Sequence, residues 1–148
     1  MIQTIKTITE QFLSFLLDDP VRPSIPYSDR VGENKDIFVL RGEDDKVMAI
    51  TCVSYQENVP TSEADLFERC SSPHVAVFYT IWSYAPGAGR QLIFDAVEYI
   101  KQNIKDIDRF VTLSPQTEMA KRFHTKNGAV VFRTNPETVN YEYLKVVV

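Results

Sequence analysis

The chain has 148 residues, 44% of them hydrophobic and 24% charged, with a formal net charge of −4. That size suits one domain with one buried core, and the composition argues against a disordered or fibrous chain. The acidic balance leaves no excess of Lys and Arg to neutralise a nucleic-acid backbone, which argues against a DNA or RNA reader.

Cys52 and Cys70 stand apart from any CxxC pair or histidine at metal spacing, so both are expected as reduced thiols and no metal is expected. The opening residues lack the unbroken apolar stretch of a signal peptide, and no run approaches the ~20 apolar residues of a membrane span. The expectation is one domain over 1–148, soluble and cytoplasmic, with no membrane or nucleic-acid partner.

Ile5, Ile8, Phe12, Phe15 and Leu16 recur at helical spacing and predict an amphipathic helix ending near Asp18-Asp19-Pro20. From Pro20 to Lys35 prolines and charges alternate without period, which reads either as a substrate-facing flap or as a loose connection. Ile37–Leu40 and Val47–Tyr55 are β-branched and aromatic runs that predict a hairpin. The stretch Gln56 to Pro73 carries Glu63, Asp65 and Glu68 around Leu66-Phe67 and predicts one or two helical turns.

His74–Trp82 is apolar on both faces and predicts a central strand. The turn Tyr84-Ala85-Pro86-Gly87-Ala88-Gly89-Arg90 follows, then a helix carrying Leu92, Ile93, Ala96, Val97, Ile100 and Ile104 on one face. Arg109–Leu113 predicts a short strand, Met119 to Thr125 a helix with Gly128 at its C-terminal cap, and Ala129–Arg133 with Val139–Val146 a closing hairpin. Its edge offers a place for a second subunit, leaving monomer and homodimer both open.

Small residues at Gly87, Ala88 and Gly89, between a buried strand and a helix start, let backbone N–H groups face an anion. The pattern is neither GxGxxG nor a P-loop, which excludes Rossmann and Walker-type readings. The order helix, hairpin, long strand, glycine loop, helix, strand, helix, glycine, hairpin resembles the GNAT acyltransferase superfamily over nearly the whole chain. The family loop has Gln or Arg, two residues, Gly, one residue, then Gly or Ala; Tyr84, Gly87 and Gly89 occupy those places, with Tyr84 as a departure. A second landmark matches Ala120, Phe123, His124, Gly128 and Ala129, with His124 where the family has tyrosine and Ala129 where it has phenylalanine.

The resemblance implies an α+β, three-layer fold: a mixed, mostly antiparallel sheet splayed at its middle strands, with helices on both faces. It implies acetyl-CoA or another acyl-CoA as co-substrate, with Trp82, Tyr84, Gly87, Ala88, Gly89 and Arg90 on the coenzyme side. It implies transfer to a small-molecule or peptide amine, with His124 protonating the departing thiolate. Phe78-Tyr79-Thr80-Ile81, Leu92-Ile93 and Thr112-Leu113-Ser114-Pro115 are similar to the malonyl-CoA decarboxylase catalytic domain, which shares the GNAT fold and gives Ser114 a polarising role.

Each residue also has a plainer reading. Ser114 caps the next helix, His124 is a half-buried helix histidine, the acids around Glu63 are a solvated face, and His74 sits in solvent. A decarboxylase-like lyase and a silent acyl-CoA-binding or interaction module are the alternatives to the acyltransferase.

Overall fold

The structure is a computed structural model and describes residues 1–68 and 70–144. β1 (Ile2–Ile5) leads into α1 (Glu10–Leu16), and β2 (Lys35–Arg41) with β3 (Val47–Gln56) forms the expected hairpin. β4 (Val75–Ser83) is followed by α2 (Ala88–Asn103), β5 (Arg109–Thr112) and the two-residue β6 (Ser114–Pro115). α3 (Glu118–Lys126), β7 (Val130–Thr134) and β8 (Thr138–Glu142) complete the order. Among the described residues the strands make one sheet, ordered β1-β2-β3-β4-β5-β8-β6, with β7 also paired to β8. β4 and β5 are parallel and the other pairings antiparallel, giving the expected mixed sheet.

Two cores sandwich that sheet. On one face α2 buries Leu92, Ile93, Val97 and Ile100 against Phe38, Val53 and Phe78, with Phe123 of α3 packed alongside. On the other, Phe12 and Leu16 of α1 meet Ile37, Val39 and Ile50. Each such side chain contributes about 1.5–3 kcal/mol on burial, and β4 is apolar on both faces because both cores need it.

The N-terminal helix is shorter than its periodicity suggests. Ile2–Ile5 pair with Ile37–Leu40 as an edge strand, and the helix begins only where Thr9 Oγ1 accepts the Phe12 N–H at 3.1 Å. Ile5 and Ile8 face the same core as Phe12 without belonging to the helix, so a strand and a helix together mimic one period. The segment Glu63–Phe67 is a 3-10 turn. Gly128 follows α3 at φ +99°, and the Ala129 and Gly128 N–H groups close a Schellman motif on the His124 and Thr125 carbonyls. The expected final strand is observed to Glu142, and its residues 145–146 lie outside the described residues.

β4 and β5 part company midway. Val75–Phe78 pair with Arg109–Thr112, and the Leu113 N–H closes the ladder on the Phe78 carbonyl at 3.2 Å. On the β3 side, Cys52 pairs with Thr80 and Val53 with Phe78, which leaves Tyr79 as an extra, bulged residue. A bulge bends its strand and raises the local twist, and from here β4 turns away while the chain after Leu113 pairs with β8 instead. The sheet is therefore splayed at its middle strands.

The segment after α1 is held against this bulge by buried charge. Asp19 and Arg30 form an ion pair at 2.7 Å with both side chains fully enclosed. The second Asp19 oxygen accepts the Val21 and Arg22 N–H groups and the Thr80 hydroxyl, and Arg30 also donates to the Arg22 and Ile25 carbonyls. Arg30→Ala strands a buried carboxylate and is expected to cost about 3–5 kcal/mol, whereas Lys6→Ala, which removes an exposed ammonium and leaves Asp36 the Tyr55 hydroxyl, is expected to cost less. Urea unfolding of the two variants measures that contrast.

Candidate functional site

The splay opens a cleft of about 570 Å³, within the usual range for a small-ligand site. One wall is β4 from Phe78 to Ser83; the other is Leu113-Ser114-Pro115 with Thr117 and, from α3, Ala120, Phe123 and His124. Gly89, in the first turn of α2, lines its upper end.

The two glycines of the loop serve different needs. Gly87 has φ +77°, and a Cβ there would meet nothing within 4 Å, so the residue is needed for its backbone conformation and leaves open space above it. A Cβ on Gly89 would sit 3.2 Å from the Phe123 ring, so Gly89 permits the close approach of α2 and α3. Ala88 is buried in the core. No side chain caps α2, and the Gly89 and Arg90 N–H groups have no protein acceptor among the described residues, so the positive end of the helix faces outward.

The remaining residues expected on the coenzyme side spread out. Trp82 lines the cleft from the α1 face and donates its Nε1–H to the Tyr84 hydroxyl at 3.1 Å. Tyr84 is drawn away from the loop: its hydroxyl donates to Asp18 at 2.7 Å and its ring packs edge-on against Phe15. Arg90 is exposed, reaches Asn127 Oδ1 at 3.1 Å and lies 4.6 Å over the Phe94 ring. Lys121, Arg122 and His74 are exposed and contribute nothing to the cleft wall.

Ser114 is buried, and its Oγ lies 2.8 Å from Thr112 Oγ1. It does not cap α3, because Thr117 does so through the Ala120 N–H. Thr112 Oγ1 already accepts the Tyr141 N–H at 3.1 Å. Hydroxyls rotate to suit their partners, so a ligand carbonyl can draw the Ser114 proton into the cleft while Thr112 donates back.

His124 differs from its expected state. It is 5% exposed, stacked on Tyr141, flanked edge-on by Phe123 and Tyr143, and its Nδ1 lies 2.8 Å from the Tyr143 hydroxyl. Burial pushes its pKa down to about 4, so near neutral pH it is an uncharged imidazole and not the imidazolium acid that an ordinary histidine supplies. The same burial pushes the Tyr143 phenol up, which keeps it a hydroxyl. The direction of the bond between Tyr143 and Nδ1 follows the ring tautomer, and donation by Tyr143 goes with the Nε2–H form.

Arg22 carries no sequence signal. Its Nη2 donates to the Leu113 carbonyl at 2.9 Å and its Nε to the Tyr79 carbonyl at 3.4 Å. These carbonyls stand on opposite walls, at the bulge and at the break between β5 and β6, so Arg22 answers two acceptors that the splay deprives of strand partners. Tyr143 was more legible, since alternation along the expected closing strand from Val139 puts it on the face of Tyr141, and it follows β8 directly. Among the described residues, no group of three or more His, Cys, Asp or Glu is arranged to hold a metal, and no helix is long and apolar enough to cross a membrane.

No protein-family model and no curated protein sequence matches the chain. Solved structures do. A malonyl-CoA decarboxylase from Cupriavidus metallidurans aligns at TM-score 0.75 and 15% identity, over 97% of this chain and 60% of the other. The Agrobacterium vitis enzyme aligns at TM-score 0.69 and 21% identity, over 92% of this chain and 38% of the other. An acetyltransferase from Bacillus subtilis in complex with CoA aligns at TM-score 0.62 and 14% identity, over 95% and 93% of the two chains. The chain thus spans less than two thirds of the decarboxylases it matches and nearly all of the acetyltransferase. The mixed sheet, splayed at a bulge in β4 and followed directly by an uncapped helix, is the GNAT fold common to these acetyltransferases and decarboxylases.

Proposed function

We propose that this chain is an acyl-CoA-dependent N-acyltransferase, taking acetyl-CoA or another acyl-CoA as donor and an amine of a small molecule or peptide as acceptor. The observation that carries the reading is one juxtaposition: β4, without a β5 partner from Tyr79 to Ser83, leads into the uncapped N-terminus of α2. The free N–H groups of Gly89 and Arg90 suit a pyrophosphate, with the Arg90 side chain beside it. The open edge of β4 suits the amide groups of a pantetheine arm, delivering the thioester to the cleft between Tyr79 and Ser114.

The acceptor amine attacks the thioester carbon. A backbone N–H of the free half of β4, with the Ser114 hydroxyl, stabilises the tetrahedral oxyanion. As the C–S bond breaks, the Nε2–H tautomer of neutral His124 gives its proton to sulfur while Nδ1 takes the Tyr143 proton; the proton lost by the amine then returns through solvent to Nε2 as Nδ1 hands its own back to Tyr143. A second reading, a decarboxylase-like lyase acting on malonyl-CoA, is favoured by Ser114 and His124 lining the same cleft. Carbon dioxide release without an amine separates it from acyl transfer.

Calorimetric titration with acetyl-CoA, malonyl-CoA and free coenzyme A is expected to show saturable binding. Gly87→Asp fits the open space, and aspartate tolerates the left-handed conformation better than most residues. Its negative charge should weaken coenzyme binding at least about tenfold; full retention of affinity would move the coenzyme elsewhere.

The buried histidine supplies a second test. The His124 ring should titrate near pH 4 by NMR. The unfolded chain takes up this proton near pH 6.5 and the folded chain only near pH 4, so stability falls as pH drops through that window, by about 3 kcal/mol. That component should vanish in His124→Phe, whose turnover should also fall while coenzyme binding stays.

A further inference from the structure

The cleft has two ends of different character. Gly89, Ile81 and Phe123 stand on the α2 side, where the open helix end lies. On the α1 side the lining is Trp82 and Leu113, which belong to the core under that helix, with Pro20 and Val21 of the segment that follows it. Polar atoms at this second end are already engaged. Trp82 gives its Nε1–H to the Tyr84 hydroxyl, and Thr80 gives its hydroxyl to Asp19.

Among the described residues no Asp, Glu, Lys or Arg lines the cleft. Charges of the adjoining segment are committed elsewhere: Asp18 accepts the Tyr84 hydroxyl, Asp19 and Arg30 close on each other, and Arg22 donates to two main-chain carbonyls with Glu63 3.7 Å away. Arg90 of α2 and Glu118, Lys121 and Arg122 of α3 are exposed and stand outside the lining. An alkylammonium ion entering the α1 end would lose its water and meet no carboxylate, which is costly. An aromatic amine enters uncharged, and its ring finds the indole of Trp82.

We propose that the acceptor is a weakly basic aromatic amine whose ring packs against Trp82, Val21 and Pro20, with its nitrogen toward the thioester beside Ser114. The inference rests on the acyltransferase reading and narrows its acceptor from amines in general to this class. It also accounts for the amine proton. Burial leaves His124 uncharged, as the donor to sulfur, and the lining offers no carboxylate as a base. An aromatic amine needs none. Its lone pair forms the N–C bond, the C–S bond breaks with its electron pair on sulfur, sulfur takes the His124 proton, and the nitrogen, made acidic by its new bond, releases its proton to water.

Trp82 is the single tryptophan of the chain, so its indole N–H gives one NMR resonance that reports on this end. Aniline, titrated with and without coenzyme A present, should shift that resonance saturably, and cyclohexylamine should not. With acetyl-CoA as donor at neutral pH, aniline should be acetylated with a kcat/KM at least about tenfold above that of benzylamine, an aromatic amine that is protonated there. Benzylamine should gain as pH rises, in step with its free-base fraction. Val21→Asp, at a half-exposed position, supplies the missing carboxylate and should narrow the aniline preference severalfold. Trp82→Leu should raise the KM for aniline more than that for acetyl-CoA, whereas a purely structural Trp82 would lower thermal stability and move both together. A saturable aniline shift without turnover of any amine would refute the acyltransferase reading and keep the aromatic-amine site. Acetylation that favours benzylamine at neutral pH, or an aniline titration that leaves the Trp82 resonance in place, would overturn the inference. Hexanoyl-CoA shifting that resonance and excluding aniline would give this end to the acyl chain and overturn it as well.

Discussion

The bulge at Tyr79 is the constraint on which the rest of this molecule turns. One extra residue in β4 places two consecutive side chains, Tyr79 and Thr80, toward the α1 face, and strips the following half of the strand of its neighbour β5. A splay in the middle of a sheet leaves main-chain groups without ladder partners, and each such group costs free energy when buried. The chain answers with side chains from elsewhere. Thr80 is met by Asp19, the Tyr79 and Leu113 carbonyls by Arg22, and Asp19 in turn by Arg30. A segment that separates α1 from β2 in sequence thereby becomes the floor of the cleft.

The far side of the cleft is governed by aromatic packing. α3 must lie close enough to α2 for Phe123 to touch Gly89, and its Schellman ending fixes where His124 stands. Tyr141 and Tyr143 then enclose the imidazole, so its environment is apolar apart from one hydroxyl. Such a pocket selects the neutral ring, with the Tyr143 hydroxyl as the hydrogen-bond partner of its Nδ1.

Most of the architecture was legible because it rests on local periodicity. The alternation of β2 and β3, the doubly apolar β4, the four-turn face of α2 and Gly128 after α3 are each set by neighbours within a few residues. The loop from Tyr84 to Arg90 was legible for the same reason, since a glycine at positive φ before a helix is a short-range feature. The N-terminal strand was not: Ile2–Ile5 pair with residues 37–40, and a period cannot report on a partner so distant in the chain.

The site divides along the same line. Sequence by itself determined the order of the main elements after β1, the glycine turn at an open helix end, and the presence of Ser114 and His124 on successive elements, because these follow from spacing and turn chemistry. Only the tertiary structure decided their states. The Ser114 hydroxyl is shared with Thr112 rather than spent on a helix cap, His124 is uncharged, Tyr84 is claimed by Asp18, and Arg22 stands between the splayed strands. Protonation and hydrogen-bond partnership depend on burial and on groups brought from far along the chain, and the fold creates both only when its two cores close on the sheet.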